Sequence, residues 1–319
     1  MTNKFTNVGG HVKTQLSPSI MEPFGVQAVA LASLFSTLLA FSAFRKQSLS
    51  RSGALTGFVV GFLLVSTGLR GFTLFFFYQI GSWATKYKKH VKQSLDATAM
   101  ESSVRGPRQV LAVSVLAVVL SLMHVWKVGD EKPISFSKKT DDEDEDFMGS
   151  YLALAVLAHH STSLGDTLAS ELGTLSRSTP RLLTRPWRTV PRGTNGGITL
   201  MGTFWSIFGG VLCGLFTDVM DRISSIEPSR TMAMVLFGGA CGFLGSLLDS
   251  LLGALLQTTY WDATDKRVHH SITSMNEDNR RNFKHISGVD FLNNEQVNFV
   301  SIVMTSWIGS YFIGPFLFR

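Results

Sequence analysis

The amino-acid sequence predicts an all-α fold, a polytopic bundle of about seven to eight transmembrane helices, since its apolar runs match the roughly 30 Å hydrocarbon core of a bilayer. Three observations carry that reading. Hydrophobic residues make up 45% of the 319-residue chain and charged residues only 16%, against about 25% charged in soluble domains. Apolar runs of spanning length recur instead of appearing once. The few charges gather between those runs and leave the runs themselves bare.

Taken in order, residues 1–25 are a polar tail with Lys4 and Lys13 that lacks the short apolar core of a cleavable secretory signal. Runs at 26–44, 53–68, 71–84 and 110–126 predict N-terminal transmembrane helices within 26–126, the middle two separated at Arg70. Residues 127–149 predict a solvated, disordered acidic loop, because the like charges of Asp141, Asp142, Glu143, Asp144, Glu145 and Asp146 repel one another. Residues 150–319 form a motif-bearing transmembrane region with apolar runs at 151–173, 200–216, 232–256 and 299–318.

Counting Lys and Arg between alternate runs puts 19 of the 29 basic residues on one face, in the loops 45–52, 85–109, 174–198 and 257–297. The positive-inside rule makes that face cytosolic or its topological equivalent and sends the acidic loop and both termini to the other. The same rule accounts for the net charge of +6 without a nucleic-acid partner, since no basic and aromatic binding module accompanies it. Cys213 and Cys241 both lie inside apolar runs and read as small buried hydrophobes, which excludes a disulfide framework or a cysteine zinc site.

The polar motifs gather on the basic face. At the polar end of the 151–173 run, His159, Ser163, Asp166 and Ser170 share one helical face, and Glu171 points about a third of a turn away. Ionisable groups at membrane depth are expensive, so Asp166 and Glu171 are candidates for function as well as markers of a helix leaving the bilayer. His159 and His160 read as packing or interfacial residues, since no third ligand stands at metal spacing. In the 232–256 run, Gly242, Gly245, Ser246, Asp249, Gly253 and Gln257 form a stripe of small and polar residues; the glycines suit close helix packing, but Asp249 demands a partner. The stretch from Ser163 to Leu168 echoes that from Ser246 to Leu251, which suggests a parallel two-span repeat carrying two carboxylates toward the same face. Two carboxylates suit a Mg²⁺ held against phosphates.

Between those runs, Arg177, Arg181, Arg185, Arg188 and Arg192 precede Gly193, Thr194, Asn195, Gly196 and Gly197. Arginine forks match phosphate oxygens, and a glycine turn before a helix lets backbone N–H groups approach an anion. The plainer alternative is that the arginines only enforce topology. A last polar group, 276–281 followed by 288–298, leads into the final run; Asn293 or Asn294 can cap that helix or belong to the site.

The ordered set G-D-T-L-A-S-E-L-G, P-R-L-L-T, V-P-R-G-T-N-G-G-I-T-L-M-G-T, L-L-D-S-L-L-G-A-L-L-Q and L-N-N-E-Q-V-N resembles the transmembrane protein 19 family, which includes the phytyl-phosphate kinases of plants and cyanobacteria, over about residues 50–315. The resemblance implies a membrane enzyme that phosphorylates an isoprenoid monophosphate to its diphosphate with CTP, akin to dolichol and phytol kinases. In that reading Asp166, Glu171 and Asp249 hold Mg²⁺ and serve catalysis. Arg188 and Arg192 clamp phosphates, and Gly193, Thr194, Asn195, Gly196, Gly197, Asn293 and Asn294 complete the phosphate or nucleotide site. The partners are the bilayer, an isoprenoid phosphate lipid and a nucleotide; the membrane expected is the endoplasmic reticulum, with the plastid envelope as alternative. An ion- or proton-coupled transporter, or a membrane protein without catalysis, is the competing reading of the same buried acids.

Overall fold

The computed structural model describes residues 21–97, 104–136, 143–227, 230–271 and 282–319. The Asn276–Arg281 motif, Asp141, Asp142 and most of the N-terminal tail lie outside the described residues. The chain runs through α1 (Val26–Arg45), α2 (Arg51–Thr67), a 3₁₀ turn (Leu69–Phe72), α3 (Thr73–Lys86), α4 (Lys89–Leu95), α5 (Pro107–Ala112), α6 (Val115–Val128), α7 (Glu143–Gly173), α8 (Leu200–Ile223), α9 (Thr231–Leu256) and α10 (Asn294–Ile308). A single π turn, Gly309–Ile313, carries α10 into a final helical turn, Gly314–Leu317. Among the described residues four segments are long and apolar enough to cross a membrane: α1, α8, α9 and Asn294–Leu317.

Polar caps set where the helices begin. Ser50 accepts the Gly53 amide at the start of α2, and Thr199 accepts the Gly202 amide at the start of α8, both at 3.0 Å. These side chains satisfy amides that have no carbonyl partner in the first turn. The central helix is α7, which packs against α3, α6, α8, α9 and α10. Its buried leucines, Leu154, Leu157, Leu164 and Leu168, anchor the main core together with Phe237, Cys213 and Cys241.

Small residues draw α7, α8 and α9 unusually close. A Cβ on Gly165 would meet Gly242 Cα at 2.9 Å and the Ser206 carbonyl at 2.7 Å, while one on Gly209 would meet Gly165 Cα at 2.8 Å. A Cβ on Gly245 would overlap the Thr162 side chain. Backbone approach of this kind replaces the hydrophobic drive that helices lose once they are surrounded by lipid. It also fixes the relative height of α7 and α9, which run in the same direction, and so sets which polar residues meet.

The expectation of an all-α chain is corrected by two small antiparallel sheets. One has β1 (Arg181–Leu182), β2 (Arg185–Thr189) and β3 (Gly197–Ile198) in the order β2-β1-β3; the other has β4 (Thr259–Asp262), β5 (Arg267–His269) and β6 (Phe283–Ser287) in the order β5-β4-β6. Both lie in basic loops, where short runs rich in Thr, Trp, Tyr and Val pair their backbones. The acidic loop is corrected as well. Residues 143–149 already belong to α7. Residues 129–136 are likewise packed on the bundle: Ile134 is buried, and the Phe136 amide donates to the Phe318 carbonyl.

Backbone contacts gather the basic loops at one end. The Ser50 amide donates to the Arg105 carbonyl. Asp96 bridges to Val268, and Gly193 packs on Val268. The opposite end is closed by Arg70, Glu131, Asp221 and the chain terminus, where Arg230 donates to the Arg319 carbonyl.

Candidate functional site

Asp166 stands on α7 and Asp249 on α9, each seven residues before its helix ends at the basic face. The glycine seam holds the two helices so close that the carboxylates repel one another. Asp166 faces the Ser246 hydroxyl on α9. Asp249 faces the Ser301 hydroxyl on α10 at 3.4 Å, but that hydroxyl also reaches the Asn298 carbonyl at 3.0 Å. A hydroxyl has one hydrogen, so the shorter bond takes most of it and Asp249 is left the less satisfied of the two. Among the described residues neither aspartate has a cationic partner.

Glu171 does not join them. It forms an ion pair with Lys92, whose ammonium also donates to the carbonyls of Ala84 and Thr85 at 2.9 and 2.7 Å. Lys92 is only 7% exposed, so its charge needs these acceptors and holds Glu171 in place. Of the three carboxylates expected to act together, Glu171 is held by Lys92, and Asp166 and Asp249 are the two that stand near each other. Among the described residues no three His, Cys, Asp or Glu side chains gather to hold a metal.

The Gly193–Gly197 turn lies over the end of α9. Gly193 and Gly196 adopt φ of +87° and +75°, the left-handed region that glycine enters without strain. A Cβ on Gly196 would overlap Ala254. The amides of the turn face inward: Thr194 donates to the Pro191 carbonyl, Asn195 to the Thr259 hydroxyl, and Gly197 to the Thr194 carbonyl. These three are thus engaged within the protein, and the glycines serve a tight turn and close packing on α9. The Asn195 side chain donates to the Thr258 carbonyl at 3.4 Å and meets His270 Nδ1 at 3.2 Å, while His270 Nε2 lies 3.3 Å from Asp96. That network ties α4, the glycine turn and the second sheet into a cap at the basic end.

Asn293 is the N-cap of α10. It accepts the Gln296 amide at 2.9 Å, and the Gln296 side chain accepts the Asn293 amide at 2.9 Å. This reciprocal capping box occupies Asn293, while Asn294 is an exposed residue of the first turn. Arg188 and Arg192 are half-buried at the basic end, and among the described residues neither has an ion-pair partner.

Lys92, Asp96 and His270 were missed by reading the sequence. Lys92 lies in a run of basic residues that reads as topology alone, and nothing local links it to Glu171. Asp96 and His270 meet only because Asp96 bridges to β5, a pairing that depends on the unforeseen sheet.

A second polar cluster sits at the opposite end. Arg70 spans both oxygens of Asp221 at 2.6 and 2.9 Å and donates to the Lys132 carbonyl at 2.9 Å. Glu131 accepts the amides of Leu69 and Arg70 at 3.1 and 3.0 Å, stapling the 129–136 segment to the turn between α2 and α3. Burial pushes the Glu131 carboxyl up to about 7, against the pull of Arg70 and the two amides. Beside this cluster is a cavity of about 40 Å³ lined in part by Arg70, Glu131, His124, Thr217 and His160. His160 is fully buried, and among the described residues neither ring nitrogen has a hydrogen-bond partner.

The family model described as integral membrane protein DUF92 matches residues 34–306. Protein PGR of Arabidopsis thaliana is 31% identical over 88% of this chain and 94% of its own length. Protein VTE6, chloroplastic, from the same plant is 29% identical over 66% of this chain and 56% of its own length. An uncharacterized membrane protein of Methanocaldococcus jannaschii is 26% identical over 69% of this chain and 79% of its own length. No solved structure matches.

Proposed function

We propose, since this chain belongs to the integral membrane protein family DUF92, that it is an isoprenoid lipid-phosphate kinase working at the basic end of a multi-pass bundle. The observation that carries the proposal is the pair Asp166 and Asp249, half-buried on neighbouring helices with hydroxyls beside them and, among the described residues, no cation, beneath loops whose arginines form no ion pair there. Leaving two carboxylates at membrane depth without compensation costs stability, and a role with a cationic ligand explains why they are there. The pair fits Mg²⁺, which commonly takes one or two carboxylates and completes its shell with phosphate oxygens and water. When bound, the ion supplies charge neutralisation.

The reaction is phosphoryl transfer. A non-bridging oxygen of the lipid monophosphate attacks the terminal phosphorus of a nucleoside triphosphate, with CTP the expected donor. The bond from that phosphorus to its bridging oxygen breaks, giving the lipid diphosphate and a nucleoside diphosphate. Such a reaction depends mainly on positioning and charge neutralisation. Arg188 and Arg192 hold phosphate oxygens, and the glycine turn sets the height of Arg192 above α9. In this reading α1, α2, α3, α6, α7, α8, α9 and α10 all cross the bilayer, and the α7 and α9 carboxylates are the repeat-related pair. The name of the chloroplastic relative favours the plastid envelope over the endoplasmic reticulum.

The test uses purified protein in detergent with Mg²⁺, CTP or ATP, and phytyl or geranylgeranyl monophosphate. The expected result is lipid diphosphate with the wild type and its loss in both Asp166→Asn and Asp249→Asn. A second reading, proton-coupled transport, draws on the cavity beside His160 and Glu131, because a relay needs polar groups away from the carboxylate pair. No turnover with any nucleotide, together with proton flux in liposomes that depends on Asp166 and Asp249, would replace the kinase with the transporter.

A further inference from the structure

The β1–β2 hairpin carries an unusual surface. Trp187 is 78% exposed, with exposed Arg185 and Pro186 before it. Arg181 is also exposed, and its guanidinium donates to the Pro186 carbonyl at 2.8 Å, holding the turn in shape. Among the described residues Arg177, Arg181, Arg185, Arg188 and Arg192 form no ion pair with a carboxylate. A large indole left in water beside uncompensated guanidinium groups is unfavourable for a loop that simply faces the aqueous phase.

The position of the hairpin resolves this. Strand β1 pairs with β3, and β3 ends two residues before Leu200, the first residue of α8. Leu200 is 90% exposed and opens an apolar stripe that continues through Phe204 and Phe208 on a helix long enough to cross the membrane. An exposed apolar surface suited to acyl chains therefore begins two residues from the sheet. The order β2-β1-β3 puts β2 two strand spacings from that boundary, about 10 Å. The headgroup layer on each side of a bilayer is of the same order, about 5–8 Å.

We propose that the β1–β2 hairpin is a lipid-docking element that lies in the headgroup layer, with Trp187 at the interface and Arg181 and Arg185 on the phosphates of anionic lipids. Tryptophan prefers this zone because its ring is apolar and its N–H is polar. Arginine matches a phosphate oxygen pair with its fork. The occupant is the headgroup phosphate of the surrounding bilayer. This site stands apart from the carboxylate pair, so it survives or fails independently of the kinase reading.

The full chain is reconstituted in nanodiscs of phosphatidylcholine with or without phosphatidic acid, and lipids retained on release are counted by native mass spectrometry. Arg181→Gln/Arg185→Gln is compared with Arg185→Gln alone, which leaves the Arg181 bond to the turn intact. Wild type retains several-fold more phosphatidic acid than either variant, with phosphatidylcholine retention and thermal unfolding unchanged. In parallel, the fluorescence lost between wild type and Trp187→Phe is quenched by lipids brominated near the headgroup and little by aqueous acrylamide. Equal retention in wild type and Arg185→Gln overturns the proposal, as does a Trp187 signal quenched only from water. Displacement of phosphatidic acid by inorganic phosphate at the same concentration also overturns it, because the site would then be one for soluble anions.

Discussion

At the end of the bundle away from the basic loops, Asp221 is buried with Arg70 laid across both of its oxygens. At the basic end, Asp166 and Asp249 are half-buried beside each other with serine hydroxyls near them. Both ends draw carboxylates into the bundle, yet among the described residues one provides a fixed counter-charge and the other provides none. An intramembrane acid that already has a bidentate arginine acts as a fastener. Acids that lack one have the capacity to receive a cationic ligand. The contrast separates paired from unpaired acids among the described residues without appeal to position in the sequence.

Removing one partner of the fastened pair is the largest expected effect. Arg70→Met leaves Asp221 buried without its counter-charge and should cost about 3–5 kcal/mol in unfolding of the detergent-solubilised protein. The open pair should respond in the opposite way. Asp166→Asn and Asp249→Asn relieve repulsion, so the melting temperature holds or rises, while lipid-phosphate phosphorylation falls by about a hundredfold or more. If Asp249→Asn destabilises as much as Asp221→Asn, the comparison fails.

Geometry supplies the next test. Gly245→Ala pushes a methyl into Thr162 and should cost about 1–3 kcal/mol through overpacking, with a loss of activity as α7 and α9 separate. The smallest effect belongs to Glu131. Its folded carboxyl holds a proton to about 7, whereas the ordinary value is 4.5. Between those values the folded state binds more protons than the unfolded state, so stability falls as pH rises through that window. Glu131→Gln should flatten this slope in thermal unfolding measured from pH 4.5 to 7.

Helix positions were legible in the sequence because burial in lipid and in a helical core both require long apolar runs, and α1, α8 and α9 begin within one residue of the limits read from hydropathy. Asp166 and Asp249 were legible as acids within apolar runs, and each stands seven residues before its helix ends. The sheets were not, since strands as short as Arg181–Leu182 carry no periodicity and depend on pairing partners far along the chain. Glu171 looked equivalent to Asp166 because helical spacing says nothing of Lys92, which arrives from another loop. Glycine was ambiguous in the 193–197 turn for a physical reason: an amide cradle and a close approach to a helix both demand a residue without Cβ.

Gly196 resting on Ala254 and the Ser250 carbonyl has a mechanical consequence. Ser250 follows Asp249 directly, so the turn and the carboxylate belong to one rigid lever. A load placed on the arginines next to that turn is passed to the last turns of α9. In the proposed kinase, admission and release of a ligand at this end would involve tilting a whole helix, a motion of microseconds to milliseconds rather than the nanoseconds of a free loop.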